Sequence, residues 1–333
     1  MNKKHPENQP IWVRFRPLTN SSMIFLVTAV WVGMVLLAVD TTAGQSDEPE
    51  IEQIDLETQD SLSLSVMYYP AAVEESDEED EPDKDEEDER RMQAVPIIIL
   101  HHWKGQASDY EQLALYLQAE GHAVVVPDLR GHGESSSSEL NVDRFKERDI
   151  QSMIHYDMEV VKKFLLRKND EKQFNIEKLC VIGVEFGALV AMNWAVKDWS
   201  WPDLLTRKQG KDVKALVLVS PMSTMRGIDN NYALRHPDVR AKISMLFIVG
   251  AEDSRSMRTT KKLHGKLKRY HPDPPEGQEK TLRTLYLFDH ATNLQGLKLL
   301  EQDDLRNKLI IQKFIEERLA AKRYPWQKRQ ANP

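Results

Sequence analysis

The stretch from Leu179 to Met192 constrains this chain more than any other. Leu179, Cys180, Val181 and Ile182 form an apolar run, Gly183, Glu185 and Gly187 form a G-x-E-x-G turn, and Ala188 to Met192 continue as a helix. An unbroken apolar run of this length fits a strand buried on both faces, and the glycine-flanked turn feeds it directly into a helix. Similar runs recur at Val95–Leu100, Ala123–Val126, Lys214–Ser220, Met245–Val249 and Leu285–Phe288. Between and after them lie helical patterns, from Tyr110 to Glu120 (Leu113, Leu115, Tyr116, Leu117) and from Leu297 to Arg323. Strands alternating with helices predict an α/β protein with a mainly parallel sheet. With 333 residues, 41% of them hydrophobic, the chain can bury one large core. No internal repeat is visible.

Motifs at the strand ends add detail. The turn at Glu185 has the outline of G-x-S-x-G, in which the central residue is held in strained backbone geometry so that its side chain projects at a helix N-terminus. Val95–Leu100 runs into His101-His102-Trp103-Lys104-Gly105, and Ala123–Val126 runs into Pro127-Asp128-Leu129-Arg130-Gly131-His132-Gly133-Glu134-Ser135. Further on, Met245–Gly250 ends in Ala251-Glu252-Asp253, and Leu285–Phe288 ends in Asp289-His290-Ala291-Thr292-Asn293-Leu294.

On these motifs the chain resembles the α/β-hydrolase family over roughly residues 52 to 320, nearest its lysophospholipase or serine-aminopeptidase-like branch. The resemblance implies a three-layer α/β/α sandwich around a sheet of the eight-stranded type. It also implies catalytic positions in the order Glu185, Asp253, His290, with the backbone N–H groups of Trp103 and Phe186 as oxyanion donors. His101 would brace the oxyanion turn, and neither metal nor organic cofactor is expected. The stretch from Ser220 to Ile243 is too short for a cap domain, so the site is predicted to be open or shaded by a small loop.

Two departures fall inside the expected site: Glu185 stands where a serine belongs, and His102 replaces the second residue of the usual HG pair. A carboxylate needs no proton removed, so His290 would no longer activate it; the two would form an ion pair. An anion there also repels a forming oxyanion. The predicted function is a catalytically impaired or non-catalytic binding or scaffold role. The alternative is an active hydrolase of esters or C–X bonds, esterase-like or epoxide-hydrolase-like, using Glu185, His290 and Asp253. A third route would recruit another group, such as Ser220 at the next strand end. Trp103, Phe186 and Met222 would suit a small apolar or acyl ligand, or else simply pack the top of the sheet. Nucleic acid is not an expected partner.

Residues 1–45 read as an address: Lys3, Lys4, Arg14 and Arg16 precede the uncharged run Met23–Val39, and small residues at Thr41-Thr42-Ala43 suit cleavage. A signal peptide and a retained N-terminal membrane anchor both fit, and either exports the domain. Residues 74 to 89 hold 13 Asp or Glu against Lys84, a local charge of −12; with −8 for the whole chain, the remainder is +4. Such a segment repels itself, so 74–91 is predicted to be an unstructured insertion. The hydrolase-like domain spans 46–323, and 324–333 reads as a basic, frayed tail. The lone Cys180 excludes an intramolecular disulfide and is expected to be a packed thiol.

Overall fold

The structure, a computed structural model, describes residues 51–72, 84–138, 140–202, 204 and 208–329. The apolar run 23–39 therefore lies outside the described residues; within them, no helix is long and apolar enough to cross a membrane. Among the described residues there are ten strands: β1 Glu52–Glu57, β2 Ser63–Tyr69, β3 Pro96–Leu100, β4 Ala123–Pro127, β5 Leu179–Val184, β6 Val213–Val219, β7 Thr224–Met225, β8 Ile228–Asp229, β9 Ser244–Gly250 and β10 Leu285–His290. The helices are α1 Lys84–Arg91, α2 Glu111–Ala119, α3 Glu147–Ser152, α4 Met158–Asp170, α5 Phe186–Ser200, α6 Asn231–Arg235, α7 Val239–Lys242, α8 Ser254–Lys268, α9 Glu279–Leu282, α10 Gly296–Leu300 and α11 Asn307–Ile315.

Eight strands form one sheet in the order β1-β2-β4-β3-β5-β6-β9-β10. The β1–β2 and β2–β4 pairs are antiparallel, and every later pair is parallel. The all-apolar runs are explained by the two layers of helices. Alternate residues of one strand feed opposite cores: Ile98 and Leu100 face one, with Val181 and Leu216, while Ile97 and Ile99 face the other, with Cys180 and Val217. Cys180 is fully buried, and burial pushes its thiol far above the usual range, so it is a packed thiol. The stretch between β6 and β9 holds only the β7–β8 hairpin and the short helices α6 and α7.

Three expectations are corrected. The acidic insertion does not lack structure throughout, because Lys84–Arg91 forms α1. Its first turn carries Asp85, Glu86 and Glu87 and its last Arg90 and Arg91, which complements the helix dipole. Glu87 also pairs with Arg91 one turn on, and Asp88 pairs with Lys172 at 2.7 Å. Residues 73–83 lie outside the described residues. The C-terminal helix expected over Leu297–Arg323 is broken into α10, α11 and a π-helical turn at Glu316–Ala320.

The basic tail is docked as far as Arg329. Asn175 donates to the Tyr324 carbonyl at 2.7 Å, Asn169 to the Gln327 carbonyl at 3.0 Å, and the Trp326 indole to the Asn169 carbonyl at 3.2 Å. The buried Arg329 guanidinium reaches both oxygens of Asp212, at 2.5 and 3.1 Å, and Glu177 at 3.0 Å. Asp212 also faces Lys162 and Lys208, and Lys162 is bonded to Asp198 near the end of α5. Truncation after Arg323 is therefore expected to cost about 2 kcal/mol, less than stranding a lone charge because Lys162 and Lys208 remain beside Asp212. A thermal melt should show a drop of roughly 4–8 °C, where a frayed tail would show none.

Candidate active site

The elbow is built as the glycine pattern requires. Glu185 lies between β5 and α5 with φ 50° and ψ −101°, a conformation that non-glycine residues adopt only under strain. Its backbone is pinned from both sides: its N–H donates to the Val219 carbonyl at 2.8 Å, and its own carbonyl accepts from Met222 N–H at 3.2 Å. Gly187 lets α5 approach the end of β3, since a methyl group there would lie 2.1 Å from the Leu100 carbonyl oxygen.

The Glu185 side chain lies over Gly296, whose α-carbon face is so near that an added methyl would meet Oε1 at 2.4 Å. No hydrogen bond or ion pair reaches this carboxylate among the described residues. Gly296 is itself held by the next strand end, its N–H donating to Ser220 Oγ at 3.0 Å. The Ser220 hydroxyl donates to Gln295 Oε1 at 2.7 Å, and Gln295 donates onward to the Gly250 carbonyl at 2.8 Å. Ser220 is buried and both roles of its hydroxyl are taken, so it is a brace for the floor of the site rather than a free nucleophile.

His290 and Asp253 lie at the ends of the neighbouring strands β10 and β9, where chain order placed them. Their side chains are engaged elsewhere. His290 Nε2 is 2.8 Å from Asn307 Oδ1 at the start of α11. Asp253 caps α8, accepting from Arg255 and Ser256 N–H at 2.8 and 2.9 Å. Those backbone donors, Ser256 first, hold its carboxyl below the ordinary aspartate range. Among the described residues no hydrogen bond or ion pair joins Asp253 to His290 or His290 to Glu185.

On the oxyanion side, Trp103 and Phe186 meet edge to face with ring centroids 5.0 Å apart. Phe186 opens α5, so its N–H is one of the four a helix leaves without an internal acceptor. The Trp103 N–H likewise has no acceptor among the described residues. His101 braces this turn. It accepts from Leu129 N–H at Nε2 (3.1 Å), which leaves the proton on Nδ1 to donate to the His102 carbonyl at 2.7 Å. His102 turns its ring to the Tyr110 hydroxyl, Nδ1 to Oη 2.9 Å, and the same hydroxyl accepts from its N–H at 3.1 Å. The β7–β8 hairpin is the small loop that shades the site: Arg226 stacks 5.3 Å over the Trp103 ring and donates to the Phe145 carbonyl at 2.6 Å.

Complete burial lowers the His101 pKa from 6.5 to about 3, and burial lowers that of His122 to about 4. Both fold as neutral rings, so their contribution to stability is full above pH 6.5 and is lost as pH falls from there towards 3–4. The urea midpoint should thus drop between about pH 7.5 and pH 5. His101→Phe should be less stable than wild type at the higher pH and show a shallower slope; an unchanged slope would locate the dependence elsewhere.

The site roles of Asn307, Gln295 and Tyr110 are not visible in the sequence. None lies in a motif, and their roles depend on contacts with residues distant in the chain. Among the described residues no cluster of His, Cys, Asp or Glu could hold a metal ion.

The family model for serine aminopeptidase, S33, matches residues 93–287. No curated protein sequence matches the chain. Among solved structures, an esterase of Pyrococcus furiosus aligns with a TM-score of 0.52 at 16% identity, over 81% of this chain and 92% of the esterase. An acylaminoacyl peptidase of Pyrococcus horikoshii aligns at 0.53 and 15%, over 84% of this chain but 43% of the peptidase. A dienelactone hydrolase of Anabaena variabilis aligns at 0.51 and 16%, over 81% of this chain and 99% of that enzyme. At such identities these likenesses establish the fold.

Proposed function

The chain belongs to the S33 serine aminopeptidase family of α/β-hydrolases, and we propose that within it this protein is a non-catalytic binding or scaffold protein built on a hydrolase pocket. One observation carries the reading. Glu185 occupies the nucleophile position while His290 is bonded to Asn307 and Asp253 to its own helix, so no relay connects the three. Ester hydrolysis in this fold needs a base to take a proton from the nucleophile and an acid to orient that base. A carboxylate at the elbow has no proton to give up, and its charge opposes the oxyanion.

The site nevertheless has what a ligand needs. The Trp103 and Phe186 N–H groups are donors without an acceptor among the described residues, and the partly buried Trp103 and Met222 side chains, packed against the core that holds the fully buried Phe186, are the apolar surface that a small apolar or acyl group would meet. The domain would act outside the cytoplasm, secreted or held by the segment 23–39.

The second reading, hydrolysis through Glu185, His290 and Asp253, draws on the strain at Glu185. A non-glycine residue in this conformation costs about 1–3 kcal/mol, which a purely structural side chain gives no reason to keep.

Assays with p-nitrophenyl esters and a styrene-oxide-type epoxide separate the two. Wild type is expected to be silent. Glu185→Ser is also expected to stay within about tenfold of background, because a serine there would still lack a free, oriented histidine. Turnover by wild type that disappears in Glu185→Gln would overturn the binding reading. Turnover appearing only in Glu185→Ser would show that the relay forms once the charge is gone. Binding itself is read as a rise in melting temperature with medium-chain acyl compounds, reduced in Trp103→Ala.

A further inference from the structure

Helix α8 carries a feature that the candidate site does not use. From Ser254 to His271 the chain has no Asp or Glu, while Arg255, Arg258, Lys261, Lys262, Lys266 and Arg269 are all exposed. Lys268 pairs with Asp273, but those six have no carboxylate within ion-pair distance among the described residues. Arg258, Lys261, Lys262, Lys266 and Arg269 recur at helical spacing and make one stripe. Much of it borders α6, where Lys261, Lys262, Lys266 and Arg269 line a cleft of about 610 Å³ with Arg235 opposite. A second cleft of about 330 Å³ includes Arg258, and Asp229 is the single acid on its wall. Like charges three and four residues apart destabilise a helix, so the stripe is unfavourable until an anion covers it.

The complement is in the same sequence. Residues 74–89 carry 13 acids against one lysine, and Asp85, Glu86 and Glu89 are exposed on α1. Within one molecule the two are out of reach. By chain length alone, the eleven residues that join described residues 72 and 84 can reach out and return over at most roughly half their fully extended length, ~19 Å. From β2 to β9 there are five strand spacings, ~24 Å, and α8 packs on β9 and β10 at the far edge.

We propose that the basic stripe of α8 binds the acidic segment 74–89 of a second copy of this chain. The contact is heterologous, acidic edge to basic edge, so it can continue from copy to copy. The lysines and arginines of the stripe are exposed, so the association should weaken steeply as salt shortens the screening length.

Sedimentation velocity on the full chain in a non-ionic detergent tests this. The weight-average mass should exceed that of the monomer at about 20 mM NaCl, with the apparent Kd rising at least tenfold by about 500 mM. A triple variant, Lys261→Glu with Lys262→Glu and Lys266→Glu, should be monomeric at low salt. So should a chain whose acids at 74–81 are replaced by Asn and Gln. An equimolar mixture of the two variants should recover a one-to-one complex, since each retains the surface the other lacks. A wild type that stays monomeric at low salt up to about 100 µM would overturn the proposal. So would self-association that survives loss of the acids. Lysine-dependent flotation with equimolar phosphatidylcholine and phosphatidylglycerol vesicles, unaffected by the acid replacement and without self-association, would assign the stripe to an anionic lipid surface instead. None of these readouts depends on activity at Glu185.

Discussion

Replacing Arg130 with methionine is expected to remove about 3–5 kcal/mol of folding stability, a value set by the buried charge the change leaves behind. Arg130 leaves β4 in the P-D-L-R-G-H-G turn and ties together three parts of the chain. Its Nε and Nη2 bond Asp157 Oδ1 at 2.8 and 2.6 Å, and its backbone N–H bonds Asp157 Oδ2 at 3.0 Å. Its Nη1 and Nη2 bond the Asp60 carboxylate, in the β1–β2 turn, at 2.7 and 3.0 Å. The Asp157 side chain is 0% exposed and that of Asp60 36%, so only Asp60 can turn to water when the guanidinium goes. Asp157 would be stranded next to α4. Burial already raises the Asp157 carboxyl to about 6 with Arg130 beside it, and losing the guanidinium raises it further, so the deficit relative to wild type should narrow as pH is lowered towards about 6. Urea titrations at two pH values check both the size and the sign. A pH-independent deficit would mean that the loss is one of packing and not of charge.

The second large effect is expected at Gly187. A methyl group there would sit 2.1 Å from the Leu100 carbonyl oxygen, 2.7 Å from its carbon and 2.8 Å from the His101 carbonyl oxygen. All three are backbone atoms of the strand end that leads to the Trp103 turn, so no rotamer change relieves the clash. Either α5 or β3 must move, and Glu185, Phe186 and Trp103 move with them. Gly187→Ala should cost at least about 3 kcal/mol, the upper range for overpacking, and appear as a large loss of soluble protein or a lowered melting temperature. Gly265→Ala supplies the contrast. An added methyl in that part of α8 meets nothing within 4 Å, so the exchange should stabilise by about 0.5–1 kcal/mol through helix propensity. Equal effects at the two positions would contradict the argument from space.

How much of this was legible beforehand differs between backbone and side chains. The sheet was readable because strands buried on both faces need continuous apolar runs, and Val95–Leu100, Ala123–Val126 and Leu179–Ile182 are such runs. The elbow was readable because a strand that turns into a helix against a neighbouring strand requires glycine at a fixed offset, and Gly187 stands there. Composition misled at both ends of the acidic and basic scale. Lys84–Arg91 is charged enough to look unstructured, yet its charges are ordered along the helix dipole. The segment after Arg323 looks like a basic tail, yet Arg329 completes an ion cluster with Asp212 and Glu177.

Taken by itself, the sequence determined the six strands of the parallel part of the sheet, the family of the fold and the presence of Glu185 at the elbow, because these follow from continuous apolar runs and from residue type at fixed spacing. Only the tertiary structure decided that His290 bonds Asn307, that Asp253 caps α8, that Ser220 is locked between Gln295 and Gly296, and that Arg329 is buried. The first, third and fourth of these depend on where a side chain points once the strands are in register; the Asp253 cap is local, made with Arg255 and Ser256 N–H, and competes with any turn towards His290. A hydrogen-bond direction between residues such as Ser220 and Gln295, far apart in the chain, leaves no periodic trace in it.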